Sequence, residues 1–189
     1  MDMKQQRFGI EIELTGIARK RGAEIAAAYF GTQSYYEGTY YDTYVALDSQ
    51  GREWKFQRDV SIAGCDSEKC ELVTPILTYA DIETLQELVR QLRHAGAKSD
   101  ATRGCGVHIH IGAKGHTPQT MRNLANIMAS HESLIADALD LDRGRMHRYC
   151  RTVDPRFLES LNRKKPKTMS ALADIWYGSQ NCNYGRSQH

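Results

Sequence analysis

Two short segments of the chain alternate metal-binding side chains with aliphatic ones, and this alternation constrains the fold more than any other feature. The segments are Gly9-Ile10-Glu11-Ile12-Glu13-Leu14 and Gly106-Val107-His108-Ile109-His110-Ile111-Gly112. Successive side chains of a β-strand point to opposite faces, so Glu11 and Glu13 share one face, as do His108 and His110. The aliphatic alternates are then expected to be buried on the opposite face. This pattern predicts a metal-dependent active site built on two strands.

The rest of the chain predicts further strands, joined in part by hairpins. Residues 43–48 and 52–58 alternate polar and apolar side chains around Ser49-Gln50-Gly51, which is typical of a hairpin with a glycine-containing turn. Residues 70–74 form another short predicted strand, which ends at Pro75. Hairpins make a sheet at least partly antiparallel, and no phosphate-binding glycine loop is present, so a doubly wound nucleotide-binding fold is not expected. The sequence predicts an α+β fold, with a mostly antiparallel sheet flanked by helices.

Three predicted helices carry recognisable end signals. An alanine-rich helix is expected from Arg19 to Phe30, ending at Gly31. Thr78 and Asp81 form a capping-box pattern before a second helix, whose apolar stripe is Ile82, Leu85, Leu88, Val89 and Leu92. A third, long helix opens at Thr117-Pro118, and five of its apolar side chains are predicted to point inward: Met121, Leu124, Met128, Ile135 and Leu139. Weaker helical segments follow Pro155.

Positive charge stands at the start of the first predicted helix. Arg19-Lys20-Arg21 is electrostatically unfavourable there, because the N-terminus of a helix carries partial positive charge. Exposure of the three side chains to solvent is the favoured interpretation. An anion docked against them is the alternative.

Length and composition indicate one globular domain over residues 1–189. A hydrophobic content of 41% and a charged content of 25% fit this class, and no apolar run approaches the ~18 residues needed to span a bilayer. The first residues lead into the first predicted strand without an apolar signal core, so we expect a cytoplasmic protein with no membrane partner. The five scattered cysteines are expected to be free thiols rather than a disulfide framework.

Charge is distributed unevenly along the chain. Residues 143–167 carry nine basic and two acidic side chains, whereas residues 1–142 carry 15 basic and 20 acidic ones. A basic segment beside an acidic half suits a metal site that also binds a polyanion, and a solvated helical face is the simpler alternative. Arg145 and Arg148 are candidates to bind phosphate or a substrate carboxylate, since a guanidinium matches both geometries. A nucleic-acid partner is not favoured, because Tyr149 and Phe157 form no stacking series.

Further acidic side chains lie on or beside other predicted strands, namely Asp59 and Glu71. Magnesium and manganese prefer carboxylate oxygen, and manganese also accepts imidazole. Several carboxylates on one face would repel one another without a cation. Each motif also has an ordinary structural use, as a solvated strand face or, for Asp59-Val60-Ser61, as a turn. Together on consecutive strands, the motifs favour a divalent metal site.

In order and spacing, these residues resemble the amidoligase family of carboxylate–amine ligases, relatives of glutamine synthetase and glutamate–cysteine ligase. The resemblance covers about residues 7–151 and rests on five motifs: Phe8-Gly9-Ile10-Glu11-Ile12-Glu13-Leu14, Asp59-Val60-Ser61, Glu71-Leu72-Val73-Thr74-Pro75, Cys105-Gly106-Val107-His108-Ile109-His110-Ile111-Gly112 and Arg148-Tyr149-Cys150. It implies a glutamine-synthetase-like antiparallel sheet, whose concave face binds ATP and two or more divalent cations, Mg²⁺ or Mn²⁺. Such enzymes phosphorylate a carboxylate and let an amine displace phosphate, which forms an amide through an acyl phosphate.

The resemblance also implies roles for individual residues. Glu11 and Glu13 would ligate the metals that hold the ATP phosphates, and Glu71 would be a further ligand. His108 or His110 would contact metal or phosphate, and the other would support it. Asp59 would orient or deprotonate the amine. Two arginines complete the predicted site, Arg145 as a nucleotide-binding residue and Arg148 as a catalytic one.

The resemblance leaves the extent of the site open. Relatives continue with a segment that ends in a strand bearing a further Glu and an Arg, so the chain is expected to lack the last strands of its catalytic domain. The substrates are expected to be a small-molecule or peptide carboxylate and an amine. Relatives of glutamine synthetase often complete their sites between subunits, which makes a homo-oligomer possible.

Two other functions compete with the ligase. A zinc hydrolase would use His108 and His110 with one glutamate. A non-catalytic binding module would keep the sheet and lose turnover. Tyrosines in residues 32–42 either line a substrate pocket or cover the sheet edge, since tyrosine suits both environments.

Overall fold

The computed structural model describes residues 2–142, 144, 146 and 151–178. The chain forms two compact units, Met1–Gly112 and Ala113–His189, and each is described by itself. Arg145 and Arg148 lie outside the described residues, as do Tyr149, Cys150 and Cys182.

The first unit is built on a six-stranded sheet, in which every neighbouring pair is antiparallel. The strands are β1 (Phe8–Leu14), β2 (Ser34–Tyr36), β3 (Tyr44–Leu47), β4 (Glu53–Gln57), β5 (Cys70–Val73) and β6 (Val107–Ile111). Their order across the sheet is β2-β3-β4-β5-β1-β6, which places β1 between β5 and β6. The two motif-bearing strands are therefore neighbours, and the predicted α+β class is confirmed.

The described residues contain five α-helices. They are α1 (Arg19–Phe30), α2 (Ile82–His94), α3 (Pro118–Ala138), α4 (Pro155–Lys164) and α5 (Met169–Tyr177). Gly31 ends α1 with φ 70°, as its position predicts. The capping box before α2 is present, because Asp81 Oδ2 accepts hydrogen bonds from the backbone N–H and the hydroxyl of Thr78. None of the helices within residues 2–142 and 151–178 is long and apolar enough to cross a membrane.

The core of the first unit lies between one face of the sheet and helices α1 and α2. Trp54, Phe56 and Leu72 are fully buried on that face, and Leu88 and Leu92 of α2 are buried with them. Helix α1 contributes small residues instead, which let its backbone approach the sheet: Gly22, Ala23, Ala26 and Ala27 are all buried. An added Cβ on Gly22 would lie 2.4 Å from Phe56 Cδ1. This close approach explains why a chain segment poor in large apolar residues forms a core helix.

Several sequence predictions about exposure are wrong. The aliphatic side chains of β6 are not buried; Val107 is 55% exposed, Ile109 62% and Ile111 57%. Strand β6 lies at one edge of the sheet and pairs only with β1 among the described strands, so α1 and α2 do not cover it. Arg19, which was expected in solvent, is 8% exposed. Strand β2, at the other edge, was not predicted, because three residues are too few to show a period-two pattern.

The second unit contains α3, α4 and α5 among its described residues. Thr117 caps α3 and Pro118 begins it, as predicted, and Asn126 on α3 exchanges side-chain hydrogen bonds with Asn162 on α4 at 3.0 and 2.8 Å. The predicted inward positions of α3 are mostly wrong, because Leu124, Met128, Ile135 and Leu139 are exposed and Met121 is half-buried. Helix α4 has 10 residues and α3 has 21, so α4 covers only part of the length of α3.

Candidate metal and nucleotide site

The face of the sheet opposite α1 and α2 carries the acidic and imidazole side chains together. Phe8, Ile10 and Ile12 pack against the core, so the alternate residues of β1 lie on the other, open face. Directly paired residues of antiparallel strands share a face. Three pairings therefore extend this set, Glu13 with Glu71, Glu11 with His108, and Gly9 with His110. The structure thus places Glu11, Glu13, Glu71, His108 and His110 on one face of the sheet. The alternation predicts that the members of each motif share a face, and the strand pairing brings the motifs together.

Three carboxyl groups meet at one end of this face. Glu13, Asp59 and Glu71 each offer an oxygen atom, and the three atoms lie within 4.8 Å of one another. Glu13 is 4% exposed and Glu71 7%. Asp59 lies in the turn that follows β4, where its Oδ1 accepts a 2.7 Å hydrogen bond from the backbone N–H of Ser61. The segment Asp59-Val60-Ser61 thus forms a turn, as its sequence predicts. The turn also directs the Asp59 carboxylate toward Glu13 of β1 and Glu71 of β5.

Glu13 is fixed by neighbours on both sides. The backbone N–H of Gly106 donates to its Oε2 at 2.6 Å, and the Ser61 hydroxyl lies 3.5 Å from its Oε1. Burial raises the pKa of Glu13, and the nearby charge of Asp59 raises it further, while the Gly106 N–H opposes the shift. A buried carboxyl beside a second one holds its proton more tightly, so the pair is suited to a cation that replaces the proton.

Glu71 is oriented by Gln57, a residue that belongs to none of the sequence motifs. Gln57 of β4 lies directly across from Glu71, and its side-chain Nε2 donates to Glu71 Oε2 at 2.9 Å. Burial raises the pKa of Glu71, the Gln57 amide opposes the shift, and the charges of Glu11, Asp59 and Glu13 add to it. The period-two pattern of residues 52–58 already put Gln57 on the same face as Lys55. That pattern was the available signal for this residue.

The two histidines lie over the glutamates of β1. His108 Nε2 is 3.7 Å from Glu13 Oε1, and His110 Nε2 is 3.3 Å from Glu11 Oε1. Both imidazoles are more than half exposed, whereas the Glu13 side chain is 5% exposed and that of Glu11 33%. The site therefore has a buried carboxylate end and an accessible imidazole end.

An open space lies on this face beside His110. An added Cβ on Gly9 would have no heavy atom within 4 Å, and the backbone of Gly9 has no positive φ that would require glycine. Glycine within a strand often marks the close approach of a ligand to the backbone. The strand thus offers room next to the exposed end of the site.

The donor set suits a hard divalent cation. Clustered carboxylate oxygens with imidazole nearby are the ligands that Mg²⁺ and Mn²⁺ use, and no thiol of the described residues belongs to the cluster. Burial raises the pKa of Glu13 and of Glu71, and the negative charges of neighbouring carboxylates add to both shifts. A bound cation relieves that repulsion.

The tyrosines of residues 32–42 lie at the other edge of the sheet. Tyr35 and Tyr36 belong to the edge strand β2, and the Tyr36 ring packs 4.9 Å from that of Tyr44. The Tyr35 hydroxyl donates to Glu53 Oε1 at 3.3 Å. These contacts support the interpretation that Tyr35 and Tyr36 cover the edge.

Comparison with known proteins identifies the family of this chain. The sequence matches, over residues 4–189, the profile of the family described as "Putative amidoligase enzyme". The chain belongs to this amidoligase family. The resemblance that rests on the glutamate, aspartate and histidine motifs is therefore confirmed, and it extends beyond residue 151. No curated protein and no solved structure shows significant similarity to this amidoligase.

Proposed function

We propose that this amidoligase is an ATP-dependent carboxylate–amine ligase, which forms an amide bond through an acyl phosphate. Its substrates are a small-molecule or peptide carboxylate and an amine. One observation carries the proposal: the oxygen atoms of Glu13, Asp59 and Glu71 lie within 4.8 Å of one another on a sheet face in a chain of the amidoligase family. We further propose that the six-stranded sheet is the glutamine-synthetase-like catalytic sheet, with the open face as its ligand-binding side.

The two ends of the site have different roles in this proposal. Glu13 and Glu71 bind a divalent cation, Mg²⁺ or Mn²⁺, at the buried end, with Gly106 and Gln57 holding one oxygen of each carboxylate. Glu11, His108 and His110 contact a second cation or the nucleotide phosphates at the accessible end. When bound, the metal–ATP complex supplies the phosphoryl group that activates the carboxylate, and its cations offset the negative charge that gathers during transfer.

Asp59 serves the amine in this proposal. An amine attacks only in its neutral form, so a carboxylate that accepts its proton is useful. Asp59 has a fixed orientation, because the N–H of Ser61 binds its Oδ1. Its oxygen lies near those of Glu13 and Glu71, and this closeness supports a role for Asp59 as the proton acceptor beside the activated carboxylate.

Phosphate release tests the proposal. The chain is incubated with ATP, Mg²⁺ and pools of carboxylates and amines, beside the variants Glu71→Gln and Glu83→Gln. Glu83 is an exposed residue of α2, on the opposite side of the sheet from the site. We expect release that requires both an acid and an amine, that falls about 100-fold or more in Glu71→Gln, and that is unchanged in Glu83→Gln.

Two results of this assay would contradict the proposal. Equal release by the wild type and Glu71→Gln would exclude a role for the carboxylate cluster. In a parallel incubation with Zn²⁺ and an amide in place of Mg²⁺, ATP and the free acid and amine, amide hydrolysis would instead support the zinc hydrolase built on His108 and His110.

A further inference from the structure

We propose that Arg19 is a positioning residue, which holds the two chain segments that bring Asp59 and Glu71 to the carboxylate cluster. The proposal rests on the proposed function, since it concerns the geometry of the same metal site. Arg19 touches none of the three carboxylates. It acts through the two loops that flank the site.

Arg19 is a buried guanidinium that binds four acceptors. Its Nε donates to Asp42 Oδ2 at 2.7 Å, and its Nη2 donates to Asp66 Oδ2 at 3.3 Å. Its Nη1 donates to the backbone carbonyls of Asp66 and Lys69, both at 2.7 Å. The side chain is 9% exposed. One residue at the start of α1 therefore connects residues 37–43 with residues 58–69.

The position of Arg19 is costly, which indicates a specific use. It is the first residue of α1, where a positive charge is unfavourable, and no side chain caps this helix end. Burial adds a desolvation penalty, which a guanidinium recovers only when its N–H groups are well matched. Asp42 and Asp66 supply the two anions. An anion docked at this helix start was the less favoured sequence interpretation, and here the anions belong to the chain itself.

The Asp42 side of this contact leads to Asp59. The carbonyl of Tyr41, next to Asp42, accepts a 2.7 Å hydrogen bond from the backbone N–H of Arg58. The carbonyl of Tyr40 accepts another, from Arg58 Nη2 at 2.6 Å. Arg58 immediately precedes Asp59. The segment that Arg19 holds through Asp42 thus fixes the backbone from which Asp59 projects.

The Lys69 side leads to Glu71. Lys69 is the residue before β5, and Glu71 is the second residue of that strand. With Asp66 and Lys69 both held by Arg19, the chain enters β5 along a fixed path. The same guanidinium therefore holds the chain segments that lead to two carboxylates of the cluster, Asp59 and Glu71.

Loss of this contact is expected to weaken cation binding by misplacing the carboxylates. Groups that orient metal ligands without touching the metal typically cost about 10-fold to 100-fold in affinity when they are removed. The sign of the effect distinguishes positioning from charge. Removing a positive charge near the site would tighten the binding of a cation, because it removes a Coulomb repulsion, so a weaker affinity reports altered geometry.

The test is a calorimetric titration of Mn²⁺ into the full chain and into Arg19→Met and Arg52→Met. Arg52 is a matched control in the same unit, because it also joins two segments through two aspartates, Asp48 and Asp81, each at 2.7 Å. Both substitutions remove one positive charge. We expect the dissociation constant for Mn²⁺ to rise about 10-fold or more in Arg19→Met and to stay unchanged in Arg52→Met.

A milder variant covers the case in which Arg19→Met does not fold. Asp42 has φ 50°, a conformation that asparagine also adopts readily, so Asp42→Asn removes the charge without straining the backbone. Because Asp42→Asn removes a negative charge, weaker Mn²⁺ binding alone would not separate charge from geometry in this variant. We therefore expect weaker Mn²⁺ binding together with faster amide hydrogen exchange in residues 58–69 and unchanged exchange in α2.

Three outcomes would overturn the inference. Unchanged Mn²⁺ affinity in the folded variants would show that Arg19 is structural only. Equal weakening in Arg19→Met and Arg52→Met would show a general loss of stability. A wild-type chain that binds no Mn²⁺ would contradict the proposed function itself, and the positioning role with it.

Discussion

Single carboxyl groups carry most of the chemistry that we propose for this chain, and their surroundings explain how. Glu13 and Glu71 are buried on a sheet, yet both accept hydrogen bonds, Glu13 from the Gly106 N–H and Glu71 from the Gln57 amide. These two donors stabilise the charged carboxylates, but they do not fully offset the effect of burial. The pKa of both glutamates therefore stays raised. A cation bound here, as we propose, would replace the protons of these carboxyl groups.

The raised pKa values predict an unusual dependence of stability on pH. Between the ordinary glutamate pKa of 4.5 and the raised values of Glu13 and Glu71, the folded chain binds more protons than the unfolded chain. Below this pH range the two groups make their full contribution to the free energy of unfolding. That contribution is lost as the pH rises through the range. Divalent cations should reverse the trend, since they bind the deprotonated form. At about 100 times its dissociation constant, a cation adds about 2.7 kcal/mol to the free energy of unfolding.

This effect is measured by thermal unfolding at a series of pH values from 4.5 upward, with EDTA in one series and Mn²⁺ in the other. The gain from Mn²⁺ should grow with pH in the wild type and be much smaller in Glu71→Gln. A gain of equal size at every pH, or one that survives the substitution, would show that Mn²⁺ binds elsewhere.

At the scale of elements, the close contact between α1 and the sheet determines where the site lies. Gly22 lies against the Phe56 ring, and the alanines of α1 fill the space beside it. The side chains of β4 and β5 that meet α1 across this core are large and fully buried, namely Trp54, Phe56 and Leu72. The polar alternates of these strands face the open side, among them Gln57 and Glu71.

Gly22→Ala tests this packing. Alanine favours a helix over glycine by about 0.8–1.0 kcal/mol, but overpacking a filled core costs about 1–3 kcal/mol. Because the added methyl group would lie 2.4 Å from Phe56 Cδ1, we expect the clash to dominate and the free energy of unfolding to fall. Denaturant unfolding measures it, with Lys20→Ala, an exposed position of the same helix, as the control. A more stable Gly22→Ala would show that the helix is not pressed against the sheet.

The whole molecule shows which parts of the fold could be predicted from local pattern. Alternation placed β1, β3, β4 and β6. It also put Glu11 and Glu13 on one face of β1, and His108 and His110 on one face of β6, whereas the pairing of the two strands brings the four side chains together. End signals placed α1 and α2, since Gly31 and the Thr78–Asp81 capping box act within one turn of the chain. Each of these features depends on neighbours in sequence, which a pattern records.

Features that depend on distant neighbours were not predictable in the same way. Gln57 meets Glu71, and Gly106 meets Glu13, only because of the strand order β4-β5-β1-β6. Arg19 is buried because Asp42 and Asp66 come from two loops that no local pattern connects. The exposure of Ile109 has the same origin, since alternation predicts which face a side chain lies on and not whether another element covers that face.

The central claim is that the open face of the sheet binds a metal–nucleotide complex through Glu13. Calorimetric titration with a non-hydrolysable ATP analogue tests it most directly, in Mg²⁺, in EDTA, and on Glu13→Ala beside Glu83→Ala. We predict binding in Mg²⁺ by the wild type and by Glu83→Ala, and loss of binding in EDTA and in Glu13→Ala. An analogue that binds equally well without metal, that binds Glu13→Ala as tightly as the wild type, or that does not bind the wild type would contradict the claim.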